Sequence, residues 1–319
     1  MNKLWLRALL LVLAAALFFG AIGLVAVWAP DEPVDELKVR WARPPSRFLQ
    51  IDGLQVHLRD EGPHDDPAPI VLLHGTSGSL HTWEGWAQAL RAKRRVIRFD
   101  LPGFGLTGPN RQNDYSTETY VLFLRSVMDK LGVDRFVLAG NARGGQIAWT
   151  AAAQMPDRVE RLILVNAEGY APASLAHPPE MPLGDRLART PGLGLLLEYT
   201  LPRGIVESAL RDLYGDPSKV TPELVDLYYE MTLRAGNRKA LARRIEQGYD
   251  ANVVLLKQIK APTLVMWGGK DRVVPLEAAH RFVRDIPDAK LVVFDGLGHM
   301  PQEEDPARTV AEVRRFLGS

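Results

Sequence analysis

The sequence predicts an α/β fold in which a mostly parallel, doubly wound sheet carries a helical insertion. Two observations support this prediction. Short apolar runs such as residues 70–73 alternate with amphipathic stretches along most of the chain, as expected when strands buried on both faces alternate with helices. Between about residues 170 and 257 the alternation stops and only helical patterns follow one another. An insertion is therefore expected there.

The length and composition limit the classes of protein to be considered. The 319 residues suffice for one large α/β domain with an insertion. The net charge of +1 offers no broad basic surface to a nucleic acid. The chain has no cysteine, which excludes disulfides and cysteine-bound zinc.

The first 29 residues have the pattern of a transmembrane anchor. Lys3 and Arg7 precede a run, residues 8–29, that contains no charged residue. At ~1.5 Å per residue this run is ~30 Å long and matches a bilayer core. Asp31 and Glu32 follow it, and this charge asymmetry favours a cytoplasmic N-terminus. The sequence therefore predicts a single-pass protein of a bacterial inner membrane, with the folded domain in the periplasm.

Alternatives remain open for this part of the chain. Residues 27–29 resemble a cleavage site, so the segment could instead be a signal peptide that is removed. Ala16 and Gly20 would let two such helices approach closely, and a homodimer is one expectation; the same residues would serve equally well as small lipid-facing positions. Residues 30–47 are rich in proline and charge and are predicted to form a linker or a short amphipathic neck.

The core of the fold is predicted to comprise residues 48–169 and 258–319. It begins with a hairpin, because two strand-like runs flank a turn formed by Asp52 and Gly53. A helix with Ser116 or Thr117 as its cap is predicted to end near residue 131. The remaining elements are a helix that carries Trp83, Trp86, Ala87 and Leu90, and strands at residues 70–73, 96–99, 136–139, 162–165, 263–267 and 291–294.

A sharp connection between a strand and a helix is predicted near Gly140. The apolar run 136–139 ends there, and a helical pattern begins at Gln146. Small residues occupy positions 140, 142, 144 and 145, and a strand that turns abruptly into a helix has no room for larger ones. The tip of this turn is Ala142. An ordinary strand–helix turn is the alternative interpretation.

Two polar residues follow the last two predicted strands and could form a general base. Asp271 comes after the strand 263–267, and His299 after the strand 291–294. The carboxyl ends of parallel strands share one edge of a sheet, where ligands bind. A histidine acts as a general base when a buried carboxylate fixes its tautomer, so we expect these two side chains to meet. Taken singly, each could be only a helix cap or a loop residue.

Two backbone N–H groups are candidates for an oxyanion hole, a pair of donors that stabilises negative charge developing on a carbonyl oxygen. One belongs to Arg143, which follows position 142, and the other to Thr76, in the loop after the strand 70–73. Gly75 and Gly78 would let that loop turn its amides inward. His74 is expected to brace the loop.

These motifs resemble those of the α/β-hydrolase superfamily over residues 48–317. The resemblance implies a serine triad, an acyl-enzyme and no cofactor or metal. With the N-terminal span, the chain further resembles bacterial membrane-anchored esterases and phospholipases A, which implies acyl esters or phospholipids as substrates. The matching motifs, in family order, are His74-Gly75, Asp100-Leu101-Pro102-Gly103-Phe104-Gly105, Gly140-Asn141, Gly144-Gly145, Asp271 and Gly298-His299.

Carried over residue by residue, the resemblance implies that His299 is the base and Asp271 the acid, with Thr76 and Arg143 as oxyanion donors. Ala142 occupies the nucleophile position and departs from the family, because a methyl group cannot attack a carbonyl. Loss of the nucleophile in a serine hydrolase costs on the order of 10⁶ in turnover. The chain is therefore expected to be inactive or strongly impaired.

The insertion, residues 170–257, is predicted to be a helical cap that covers the site. Leu196, Tyr199 and Tyr228 could line an acyl-binding pocket or merely join the cap to the core. Several arginines make the cap basic, which suits anionic lipid headgroups but equally an ordinary solvated surface. The helices predicted in it are residues 184–189, 193–199, 205–213, 222–235 and 238–247.

Three interpretations of the function follow. The first is a carboxylic ester hydrolase of the serine type whose nucleophile has been replaced while binding is kept. The second is a natural pseudoenzyme that binds lipid or a protein partner, and the bulky Arg143 beside position 142 favours it. The third is a cofactor-free enzyme of this fold that uses His299 without a serine. Retention of both Asp271 and His299 favours the first, because unused residues would be free to change.

Overall fold

The computed structural model describes residues 27–170 and 199–318, together with positions 7, 10–14, 18, 23 and 25. Its strands are β1 (Arg47–Ile51), β2 (Leu54–Glu61), β3 (Ile70–Leu73), β4 (Val96–Phe99), β5 (Phe136–Asn141), β6 (Val159–Val165), β7 (Thr263–Gly268) and β8 (Ala289–Phe294). They form one eight-stranded sheet in the order β1-β2-β4-β3-β5-β6-β7-β8. The pairs β1–β2 and β2–β4 are antiparallel, and all the other pairs are parallel.

Helices alternate with the strands and also fill the insertion. Beyond residue 30, the described α-helices are α1 (Val34–Trp41), α2 (Glu84–Leu90), α3 (Thr117–Lys130), α4 (Arg143–Gln154), α5 (Arg203–Leu213), α6 (Pro222–Leu233), α7 (Asn237–Gln247), α8 (Leu276–Asp285), α9 (Pro301–Glu304) and α10 (Pro306–Leu317). This mostly parallel sheet with interspersed helices confirms the predicted fold class.

The sheet is buried on both faces, which explains the uninterrupted apolar runs in the sequence. Successive strand residues point to opposite faces. In β3, Val71 and Leu73 belong to a core cluster that includes Phe123 of α3, Trp149 of α4 and Phe282 of α8. Ile70 and Leu72 belong to a second cluster on the other face, with residues of α2 and α10 that include Trp86, Val310 and Val313.

Most of the predicted elements of the core are confirmed, with one local difference. The hairpin turn has positive φ angles at Asp52 (48°) and Gly53 (81°), as a two-residue turn of this kind requires. The side chain of Ser116 caps α3 by accepting a hydrogen bond from the backbone N–H of Thr119. The predicted helix around Trp83 begins instead as a 3₁₀ turn, Leu80–Trp83, and becomes α-helical only at Glu84.

The N-terminal segment joins the folded body. Residues 30–47, predicted as a linker or an amphipathic neck, contain α1, whose Leu37 is 2% exposed and packs among Leu106, Leu227 and Met231. Much of the predicted anchor, residues 1–29, lies outside the described residues, including Ala16 and Gly20. Among the residues that are described, no helix is both long enough and apolar enough to cross a membrane. The anchor therefore stays a prediction.

The insertion contains the helices α5, α6 and α7, which confirm three of its predicted segments. The predicted helix 184–189, and residues 193–198 of the predicted helix 193–199, lie outside the described residues. Four of the arginines in the described part of the insertion are paired with carboxylates. Arg203 pairs with Asp226, Arg238 with Asp31, Arg243 with Glu246 and Arg244 with Glu168, while Arg234 donates to backbone carbonyls of Thr107 and Ala235.

Candidate active site

Ala142 lies at the tip of a strand-to-helix turn between β5 and α4. Its backbone has φ 48° and ψ −116°, a region that residues other than glycine seldom adopt and that stores strain at functional sites. The turn is held on both sides of the strained residue, since its N–H donates to Val165 O at 3.1 Å and its carbonyl accepts from Glu168 N–H at 2.9 Å. This is the backbone shape of a nucleophile elbow.

The small residues around the turn are required by close backbone contacts. A Cβ atom built on Gly140 would lie 2.2 Å from Gly144 O, and one built on Gly144 would lie 2.3 Å from Leu73 O. A Cβ on Gly75, in the loop after β3, would lie 3.0 Å from the Ala142 Cβ. The predicted oxyanion loop therefore lies directly against position 142.

His299 and Asp271 meet, as the sequence led us to expect. The Nδ1–H of His299 donates to Asp271 Oδ2 at 2.8 Å, and the two side chains are only 7% and 1% exposed. The other carboxylate oxygen of Asp271 accepts from the backbone N–H groups of Val273 (2.7 Å) and Val274 (3.0 Å). The aspartate thus fixes the tautomer that leaves His299 Nε2 free to act as a base.

Two asparagines hold this pair in place: Asn166, which the sequence analysis did not single out, and Asn141, which it named only as part of a matching motif. The amide of Asn166, at the end of β6, donates to Asp271 Oδ2 at 2.6 Å and accepts from Gly268 N–H at 3.1 Å. The amide of Asn141 donates to the carbonyls of His299 and Val165, both at 3.1 Å. Because Asn141 precedes Ala142, this bond ties the histidine loop to the elbow. Both asparagines lie at strand ends, and for Asn166 that position was the only signal in the sequence.

The loop that carries His299 is also fastened to the cap. The His299 N–H donates to Leu213 O at 2.7 Å. The carboxylate of Glu304 accepts from the backbone N–H groups of Gly298 (2.8 Å), Gly215 (3.0 Å) and Asp216 (2.9 Å). Hydrogen bonds therefore connect the segment at the end of α5 to the histidine loop.

Arg143 presents its backbone and its side chain to different parts of the molecule. As the first residue of α4, its N–H has no acceptor within the helix and is free to bind an anion. Its guanidinium is 3% exposed and pairs with Asp250 at 2.7 Å. Burial alone would raise the pKa of Asp250, but hydrogen bonds from Arg143 and Thr117 lower it to about 2. The arginine is thus accounted for by an ion pair in which its own guanidinium is buried and Asp250 is partly exposed, and its bulk no longer argues for a pseudoenzyme.

The second predicted oxyanion donor lies in a tight turn. Gly78 N–H donates to Gly75 O at 3.2 Å, so the chain reverses at Thr76 and Ser77, and Ser77 has a φ of 60°. The Thr76 hydroxyl is buried without a hydrogen-bond partner. The imidazole of His74 braces the loop, since its Nδ1–H donates to Gly75 O at 2.8 Å and its Nε2 accepts from Leu101 N–H at 2.9 Å.

Of the predicted pocket residues, the structure describes Tyr199 and Tyr228, and each contacts another part of the chain. Leu196 lies outside the described residues. The ring of Tyr199 stacks on Trp28 at 5.4 Å, beside the N-terminal segment. The hydroxyl of Tyr228 donates to the carboxylate of Glu303 at 2.9 Å, so this residue joins the cap to the segment after His299. Their roles in substrate binding stay predictions.

A small cleft opens between the loop after β3 and the cap. It is narrow, with a cavity volume of about 10 Å³, and is lined by Ser77, Gly78, Phe104, Gly105, Met231, Thr232, Asn237 and Leu241. Its walls are mostly apolar. Within the described residues, no group of three or more histidine and acidic side chains is arranged to hold a metal ion.

Comparison with known sequences identifies relatives along most of the chain. A family model described as the alpha/beta hydrolase fold matches residues 68–306. A 2-hydroxymuconate semialdehyde hydrolase from Pseudomonas putida is 30% identical over 281 residues, which cover 85% of this chain and 93% of that protein. An uncharacterized protein from Mycobacterium tuberculosis is 32% identical over 289 residues, which cover 88% and 83% of the two chains.

Two solved structures extend the similarity to three dimensions. A membrane phospholipase A described as a bacterial virulence factor matches with a TM-score of 0.72 at 26% identity, over 99% of this chain and 97% of that one. A meta-cleavage product hydrolase, CumD from Pseudomonas fluorescens IP01, matches with a TM-score of 0.71 at 27% identity, over 85% and 97%. The latter structure is a serine-to-alanine mutant complexed with acetates.

Proposed function

The chain belongs to the α/β-hydrolase family, and we propose that its site is that of a carboxylic ester hydrolase in which Ala142 takes the place of the serine. The site would bind acyl esters or membrane lipids between the elbow and the cap. With a methyl group in place of the hydroxyl, the chain as it stands would bind such molecules with little or no turnover.

The observation that carries this proposal is the strained backbone of Ala142. A φ of 48° costs energy in a residue with a Cβ and persists only where the surroundings impose it. An ordinary strand–helix turn has no need of it. A nucleophile elbow does, because this conformation lifts the side chain of the tip residue out of the sheet edge. The intact pair of His299 and Asp271 supports the same function.

The proposed chemistry follows from the groups around the elbow. A serine hydroxyl at position 142 would attack the ester carbonyl while His299 Nε2 takes its proton, and Asp271 would stabilise the resulting imidazolium. The backbone N–H groups of Arg143 and Thr76 would receive the oxyanion. His299 would then protonate the leaving alcohol, and water would release the acid from the acyl-enzyme by the same steps.

Ester or lipid substrates are proposed for three reasons. The cleft beside the loop after β3 has apolar walls, including Phe104, Met231 and Leu241. A membrane phospholipase A matches over 99% of this chain, and that overlap includes the N-terminal segment. The charge-free run 8–29 is proposed to anchor the chain in a bacterial inner membrane with the hydrolase domain in the periplasm.

The experiment that tests this proposal restores the hydroxyl. The variant Ala142→Ser is assayed with p-nitrophenyl esters of two to twelve acyl carbons and with a phospholipid in micelles. We expect kcat to rise by a factor of at least ~10³, because the introduced hydroxyl would be activated by the proposed base His299 and its product oxyanion stabilised by the proposed donors. Thermal unfolding confirms that the variant is folded.

Ala142→Gly is the matched control, since glycine accepts the positive φ at this position more readily than alanine but supplies no nucleophile. It is expected to fold well and to hydrolyse esters no faster than the unchanged chain. Ester hydrolysis that stays at the background rate in a folded Ala142→Ser variant would contradict the proposal. If the variant instead hydrolysed 2-hydroxymuconate semialdehyde and no ester, the proposed function would change from ester hydrolase to 2-hydroxymuconate semialdehyde hydrolase.

A further inference from the structure

A second set of serine, histidine and aspartate residues forms a hydrogen-bonded row. It lies toward the edge of the sheet that is opposite to the edge near Asp271. His57 Nδ1 lies 2.8 Å from Asp100 Oδ2, and His57 Nε2 lies 2.9 Å from Ser46 Oγ. These are the two hydrogen bonds of a Ser-His-Asp triad. None of the three residues belongs to the site around Ala142.

The sheet register brings these three residues together. Ser46 directly precedes β1, His57 lies in β2 and Asp100 follows β4. The β1–β2 register places Phe48 opposite His57, so the start of β1 runs past the histidine. The backbone N–H of Asp100 donates to His57 O at 2.9 Å, which fixes the carboxylate beside the ring.

The hydrogen bonds around Asp100 determine which nitrogen of His57 carries the proton. Its carboxylate also accepts from the backbone N–H groups of Leu80 and Leu106, each at 2.7 Å. Burial opposes ionisation, but the adjacent His57 lowers the pKa of Asp100, so the carboxylate is an acceptor only. The proton of its bond to His57 is then on Nδ1, and Nε2 is left to accept the hydroxyl proton of Ser46.

A buried cation completes the surroundings of the serine. Arg59 Nε donates to Ser46 Oγ at 2.9 Å, and Arg59 is 8% exposed. A positive charge and a donated hydrogen bond both stabilise an oxygen that is losing its proton. His57 and Asp100 are fully buried and the ring of Phe48 stacks on His57 at 5.0 Å, whereas Ser46 itself is partly exposed. The base is therefore shielded while its serine remains accessible from solvent.

We propose that Ser46 is a nucleophile of its own, activated by His57 and Asp100, that accepts acyl or phosphonyl groups from activated esters. In the acyl-transfer step Ser46 Oγ forms a bond to the carbonyl carbon and its proton passes to His57 Nε2. The carbon–oxygen bond to the leaving alcohol breaks, and that alcohol takes the proton from His57. With a phosphonyl fluoride, the bond to phosphorus forms and fluoride leaves. The step needs no group at position 142, so it stands apart from the proposed ester hydrolase site.

The chain provides a matched comparison in the pair Ser79 and His81. Ser79 Oγ lies 3.1 Å from His81 Nδ1, but the other nitrogen of that ring faces the carbonyl oxygen of Trp41 at 3.0 Å instead of a carboxylate. Burial lowers the pKa of His81 to about 3. Ser79 is 4% exposed. Ser79 has a histidine neighbour, but that histidine has no carboxylate behind it, and Ser79 is less exposed than Ser46.

The experiment uses the full chain with Ala142 unchanged and an alkyl fluorophosphonate as the probe. Intact mass and peptide mapping follow the rate and position of labelling. We expect one adduct per chain, on Ser46. Ser46→Ala should abolish it, Ser79→Ala should leave its rate unchanged, and His57→Gln should slow it by ~10²–10⁴-fold, the range for loss of a general base. Circular dichroism confirms that each variant is folded.

Labelling of the unchanged chain tests whether Ser46 is a nucleophile even if a His57 variant fails to fold. No adduct on Ser46, or an adduct that forms equally fast in folded His57→Gln, would overturn the proposal and leave Ser46 as a structural bridge between His57 and Arg59. Because Ala142 is present throughout, this outcome is independent of whether Ala142→Ser gains esterase activity. An esterase assay of Ala142→Ser combined with Ser46→Ala separates the two sites in turnover as well.

Discussion

In a chain that carries Ala142→Ser and Ser46→Ala, replacing His299 by glutamine is expected to lower kcat by a factor on the order of 10⁴ to 10⁶. Glutamine can still donate a hydrogen bond to Asp271 but cannot take a proton from a serine hydroxyl at neutral pH. The hydroxyl would then attack without a base. Initial rates with a p-nitrophenyl ester measure the loss, and the Ser46→Ala change removes any contribution from the second serine.

Asp271→Asn in the same background is the companion variant. An asparagine at this position can donate a hydrogen bond from its amide N–H to His299 Nδ1 and so favours the wrong tautomer, for which a loss of up to ~10⁴ is expected. If the folded His299→Gln variant kept more than about a tenth of the activity, His299 could not be the base. The activity would then have to arise elsewhere in the molecule.

Replacing Arg143 by methionine is expected to lower the free energy of unfolding by about 2–3 kcal/mol at pH 7. The change leaves the Asp250 carboxylate without its buried cation. The loss should fall below the ~3–5 kcal/mol of a fully buried pair, since Asp250 retains some contact with water. Urea denaturation measures it. Adding Asp250→Asn, which keeps a hydrogen-bond acceptor without the charge, should recover part of the loss.

The ion pair between Arg143 and Asp250 also leads to a prediction about the stability of the chain in acid. The pKa of Asp250 is about 2 in the folded chain, below the ordinary value of 3.8. Its contribution is therefore complete above pH ~4 and is lost as the pH falls toward ~2. Urea midpoints between pH 5 and pH 2.5 should decline less steeply in Arg143→Met than in the unchanged chain. Parallel curves would mean that Arg143 does not set this pKa.

The sequence predicted the core elements well because their signals are local or strictly periodic. Residues 70–73 form an uninterrupted apolar run since both faces of β3 are buried. The glycines at 140 and 144 indicated the elbow because backbone atoms approach them closely. Asp271 and His299 could be paired because both follow neighbouring parallel strands, whose ends meet at one edge of the sheet.

The features that the sequence analysis missed depend on partners far apart in the chain. Arg143 looked like an unexplained cation, because Asp250 lies at the far end of the insertion and no local spacing connects the two. The set of Ser46, His57 and Asp100 draws on three separate elements. The hairpin register could be predicted from its turn, but not the placement of Asp100 beside β2, which depends on strand order in the sheet.

The start of the helix near Trp83 differs from the prediction because of a contact between residues that are far apart in the chain. The carboxylate of Asp100 accepts from the backbone N–H of Leu80 at 2.7 Å and so anchors the first residue of the 3₁₀ turn. The apolar spacing of Trp83, Trp86 and Leu90 is helical and was read correctly as a buried face. It contains no signal for where the tighter turn gives way to an α-helix.

The most direct measurement is the position of a covalent label in the folded double variant Ala142→Ser, Ser46→Ala. The chain is treated with an alkyl fluorophosphonate and the modified residue is located by peptide mass mapping. If the elbow presents its tip residue to His299, we expect one equivalent of label on the introduced hydroxyl at position 142. We expect no label when His299→Gln is added. A folded double variant without label at position 142 would contradict the assignment of Ala142 as the nucleophile position.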